Sequence, residues 1–73
     1  MILDIFSELQ TAQPPHETDA RTLYEQAILQ AQLADELGYG CWWAVEHHTS
    51  PEFSWSSAPE LILTAIARHT RRI

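Results

Sequence analysis

Glu46-His47-His48 carries the ionisable chemistry of this chain. Imidazole is the side chain whose ordinary pKa lies nearest neutrality, so it can give or take a proton during turnover. A neighbouring carboxylate can orient such a ring. The triplet follows Cys41-Trp42-Trp43-Ala44-Val45, an apolar run without alternation. Such runs mark strands buried on both faces, as in parallel sheets. Ligands and catalytic groups of α/β folds gather just past the carboxyl ends of such strands. His47 is therefore a candidate catalytic residue, and His47, His48 and Glu46 together are a candidate binding set. The plain alternative is that they cap a strand and bond loop backbone. A metal site is the weaker rival. Adjacent histidines on an extended chain diverge, and His16 and His69 stand far away in sequence.

Other chemistries lack their signatures. The two glycines, Gly38 and Gly40, form neither a GxGxxG nor a Walker pattern. Lysine is absent, as are a Gly-x-Ser-x-Gly elbow and a Cys-His nucleophile pair. Cys41, the single cysteine, lies in the apolar run and reads as a core thiol.

The elements that must position the triplet alternate in type. Ile2 to Phe6 reads as a first strand, and Ser7 to Asp19 as a polar loop stiffened by Pro14-Pro15. Thr18 or Asp19 can cap a helix from about Ala20 to Leu37. Its apolar stripe is Leu23, Ala27, Ala31 and Ala34, widened by Tyr24, Ile28 and Leu37. Leu29 and Leu33 fall off that stripe, and Glu25, Gln32 and Glu36 share the opposite face. Gly38 stands where a left-handed residue would end the helix. Cys41 to Val45 is the second strand, on which Trp42 and Trp43 must point to opposite faces. His48 to Ser56 is a loop. Ser57-Ala58-Pro59-Glu60 predicts a capped second helix with a capping box, and Leu61, Ile62, Ala65 and Ile66 as its apolar face.

Strand, helix, strand, helix is the order of right-handed βαβ units on a parallel sheet. Two such strands leave both outer edges open, so further chain or further copies must complete the sheet.

Composition narrows the partners. The net charge is −6, and all ten acidic residues lie within residues 1–60, with Arg21 as the lone base there. An acidic body argues against nucleic acid. Arg68, Arg71 and Arg72 suit a helix C-terminus. No run approaches the ~18 apolar residues of a membrane span. The N-terminal residues lack the basic and apolar regions of a signal peptide. The expectation is a soluble cytoplasmic chain that assembles as a homo- or hetero-oligomer.

Leu37-Gly38-Tyr39, an aromatic-rich strand and then Glu46-His47-His48 resemble the second strand region of bacterial luciferase-like flavin monooxygenases. Gln13-Pro14-Pro15 resembles the loop after that family's first strand. Ser57-Ala58-Pro59 resembles the start of its second helix. Ala67-Arg68-His69-Thr70-Arg71-Arg72-Ile73 is similar to its passage into a third strand. The resemblance spans essentially all 73 residues and covers the first quarter of that family's barrel. It implies that residues 1–73 are the βαβα opening of a (β/α)8 TIM barrel, incomplete in this chain. It implies reduced flavin, FMN first, with O2 and a small organic substrate; some relatives instead use a deazaflavin for hydride transfer. His47 inherits the proton-handling role beside the flavin, with Glu46 and His48 as neighbours that shape the site. The main flavin contacts of the family lie on later strands, so the 73 residues alone are not expected to bind flavin tightly or to turn over. The alternative is a non-catalytic partial barrel that acts by assembly or docking.

Overall fold

The computed structural model describes residues 1–10, 19–48 and 54–73. Their elements run β1 (Ile5–Ser7), α1 (Asp19–Glu36), β2 (Trp42–Ala44) and α2 (Pro59–His69). The Pro14-Pro15 loop, Thr18, His16 and most of the loop after His48 lie outside the described residues.

β1 and β2 pair in parallel, with Ile5 opposite Trp42, Phe6 opposite Trp43 and Ser7 opposite Ala44. Backbone bonds extend the pairing at its start, from Ile5 N to Cys41 O and from Gly40 N to Leu3 O. The first strand is displaced toward its carboxyl end relative to the sequence expectation. Ile2 and Leu3 are exposed and Ser7 is included.

Alternation along the strands sorts the side chains by face. Trp42 is buried and Ile5 packs against the core on the helix side. Their neighbours Phe6 and Trp43 are 67% and 56% exposed on the other side. There the Trp43 indole Nε1 donates to Asp4 Oδ2 at 3.0 Å. The adjacent tryptophans do point to opposite faces.

α1 lies on the sheet through its alanines, because a methyl side chain lets a helix approach closely. Ala27, Ala31 and Ala34 are buried, and α2 adds Ile62 and Ile66 to the same core. Leu9 closes it from the end of β1, with Tyr24, Ile28 and Ile73 packed around it. Leu29, Leu33, Leu37 and Leu61 remain exposed. For Leu37 and Leu61 this departs from the sequence reading: among the described residues no element covers those positions.

α1 ends as its sequence predicts. Gly38 has φ +86, the left-handed conformation that costs glycine least. Tyr39 N donates to Ala34 O and Gly38 N to Asp35 O, the paired bonds of a Schellman motif. The start of α2 departs from expectation. Ala58 is the N-cap and makes no side-chain cap bond, with Pro59 opening the helix and Glu60 in its first turn. Ser57 is exposed. The buried serines are Ser54 and Ser56, and both hydroxyls serve the strand ends.

Asp35 joins the end of α1 to the segment after α2. Its carboxylate accepts backbone N–H bonds from Arg71 at 2.8 Å, Arg72 at 2.9 Å and Ile73 at 3.0 Å. Those bonds, Arg71 first, hold its pKa below the ordinary aspartate value. The Arg72 charge adds to the effect and desolvation opposes it.

Candidate active site at the carboxyl ends of the strands

The parallel register brings the ends of β1 and β2 together, and the first residues beyond them meet. His47 Nε2 lies 3.0 Å from Glu8 Oε2, across 39 residues of sequence. Both side chains are about one-third exposed, at 35% and 32%. A carboxylate only accepts hydrogen bonds, so the ring nitrogen facing it is the donor.

Local structure fixes this meeting. Directly after Glu8 the chain turns at Leu9, a non-glycine residue with φ 46. Such a backbone is held only where surrounding contacts over-determine it. Here burial of the Leu9 side chain in the core supplies them, while Glu8 stays at the rim.

The segment 54–56 then ties both strand ends. Ser54 Oγ donates to Glu8 O. Trp55 N donates to Leu9 O at 3.1 Å, while Tyr24 OH donates to Trp55 O at 2.6 Å. Ser56 O accepts from His47 N at 2.7 Å, and Ser56 Oγ donates to Val45 O. The backbones carrying Glu8 and His47 are thus held by one three-residue strap. That strap is anchored to α1 through Tyr24.

The other two members of the triplet separate from His47. His48 Nε2 lies 2.7 Å from Glu46 Oε2, and this pair is more than half exposed. The sequence reading placed the triplet correctly at the end of β2, but the carboxylate facing His47 is Glu8. Sequence reasoning missed Glu8 because Ser7 onward reads as polar loop. Its signal was an acid just past the first strand, at the level where the second strand carries its histidines.

No group of three or more potential metal ligands occurs among the described residues. No helix among them is long and apolar enough to cross a membrane. A cleft of about 310 Å³ opens between β1 and α1, lined by Glu8, Leu9, Gln26 and Gln30 among others. Glu8 borders it.

The luciferase-like monooxygenase family matches residues 3–73, and the chain belongs to it. N-acetyl-S-alkylcysteine monooxygenase of Bacillus subtilis (strain 168) is 44% identical over 57 residues, 78% of this chain and 16% of that protein. The uncharacterized protein YwcH of the same organism is 41% identical over 56 residues, 77% of this chain and 16% of that protein. The crystal structure of apo-MsnO8 matches with a TM-score of 0.85 at 29% identity, over 99% of this chain and 21% of that one. The chain thus spans about a sixth to a fifth of the relatives it matches.

Proposed function

We propose that these 73 residues are the opening βαβα quarter of a (β/α)8 barrel in a flavin-dependent monooxygenase, and that His47 handles protons at its active site. The observation that carries this reading is the His47–Glu8 pair at the carboxyl ends of two adjacent parallel strands. That is the end of a barrel where catalytic groups sit. Membership of the luciferase-like monooxygenase family supports the monooxygenase class.

The exposed apolar surface supports the barrel. Phe6 and Trp43 lie on the helix-free face, where a closed barrel has its packed interior. Leu33 on α1, Leu37 just after it, and Leu61 and Leu63 on α2 are positions that neighbouring barrel helices would cover. Paired later strands would also remove the open edges.

The residues fit a planar heteroaromatic group with polar edges. The helix-free face offers two aromatic rings, and its carboxyl end offers partly exposed groups that donate and accept hydrogen bonds. His47 would meet the edge of such a group, with Glu46 and His48 at the rim. The chain has only two glycines and no lysine, so its phosphate falls to other segments. Reduced FMN would supply the electrons for O2 when bound; a deazaflavin in its place would supply a hydride and no O2 chemistry. His47 holds or moves a proton beside it, and Glu8 keeps the ring in place. The substrate is a small organic molecule, oxidised with O2.

A graft tests this reading. The 73 residues replace the matching residues of the Bacillus subtilis N-acetyl-S-alkylcysteine monooxygenase. The expected result is a folded chimera that consumes O2 and oxidises that enzyme's substrate when given reduced FMN. A folded chimera with no such activity would contradict it.

A further inference from the structure

We infer that Glu8 is a positioning residue for His47: it fixes the ring proton on Nε2 and makes Nδ1 the nitrogen that exchanges protons at the site. The inference rests on the proton-handling role proposed for His47, but the tautomer can be measured without it.

The geometry is specific about the nitrogen. Nε2 is the ring atom 3.0 Å from the Glu8 carboxylate. In a neutral imidazole one nitrogen donates and the other accepts. A carboxylate cannot donate, so its partner must be the N–H nitrogen, and the lone pair resides on Nδ1. A charged acceptor strengthens the bond relative to a neutral one.

Neither partner is placed by chance. Glu8 precedes the left-handed turn at Leu9, and its own carbonyl is held by Ser54 Oγ. The backbone N–H of His47 is held by Ser56 O. Relative movement of the two backbones therefore requires the 54–56 strap to yield. The His48–Glu46 pair is different in kind. It joins residues two apart after the same strand and is 63% and 57% exposed. It serves as an internal control.

The experiment is nitrogen-resolved NMR of the histidine rings in the 73-residue chain, at alkaline pH where the rings are neutral. His47 is expected to show protonated Nε2 and unprotonated Nδ1. In Glu8→Ala the ratio of the two tautomers should fall by roughly tenfold, the scale of one charge-assisted bond discounted for partial exposure. Glu8→Gln keeps the shape and removes the charge, and should fall by less. The His48 ring should not change in either variant.

A wild-type His47 protonated on Nδ1 would overturn the inference. So would an unchanged ratio in both variants while helical circular dichroism is retained. A chain that does not fold would also count against it, since the pair uses only residues of this chain. Failure of the functional reading looks different: the tautomer bias would hold, while the graft described above would lack flavin-dependent activity.

Discussion

Glu8 and His47 stand one residue and three residues beyond the paired ends of their strands, and their side chains meet at 3.0 Å. Ion pairs at this exposure contribute only ~0–1 kcal/mol to stability. Glu8→Gln is therefore expected to change unfolding free energy by less than ~1 kcal/mol, read from a urea titration. A loss well above that would make Glu8 a structural residue first.

Ser56 carries more of the fold than its size suggests. It is 1% exposed, donates to Val45 O, and its carbonyl accepts from His47 N. Ser56→Ala leaves the Val45 carbonyl without that donor at a part-buried site, a cost of ~1 kcal/mol. Ser57→Ala, at an exposed position that caps nothing, should cost less than ~0.5 kcal/mol. Denaturation midpoints of the two variants decide it, and equal losses would refute the strap.

At Gly38 the constraint is the backbone and not space. A side chain there meets no atom within 4 Å, yet φ is +86. Gly38→Ala should destabilise by ~1–2 kcal/mol, with Gly38→Asn milder because asparagine tolerates the left-handed region. A neutral Gly38→Ala in thermal unfolding would contradict this account of the α1 terminus.

The Asp35 clamp gives stability a pH dependence with a definite sign. Its carboxylate is held below the ordinary value by the backbone N–H groups of Arg71, Arg72 and Ile73. A group whose pKa is lower folded than unfolded stabilises fully above its unfolded value, ~3.9 for aspartate. That contribution is lost as pH falls from there through the folded value. Wild type should therefore lose stability below about pH 4 more steeply than Asp35→Asn. Parallel acid limbs for the two proteins would remove the clamp from the account.

The order of elements and the end of α1 were legible because both are local patterns. An alanine stripe, a glycine after it and an unbroken apolar run predict a helix, its stop and a strand. The place of His47 just past β2 was legible for the same reason, since strand ends are visible in sequence. Glu8 was not, because its pairing depends on cross-strand register and on a left-handed Leu9 that no propensity favours. The serines were misjudged similarly. Ser54, Ser56 and Ser57 look alike in sequence, and only tertiary packing makes the first two buried donors and leaves the third in solvent. Leu37 and Leu61 read as core because they continue the apolar pattern of their helices, yet no described element packs over them.

The most direct test of His47 is single-turnover oxidation in the grafted monooxygenase with His47→Ala and His48→Ala compared. The account predicts a fall of roughly 10²–10⁴ for His47→Ala, with retained folding, and a change of only a few-fold for His48→Ala. Turnover unchanged in His47→Ala, or a larger loss in His48→Ala, would contradict it.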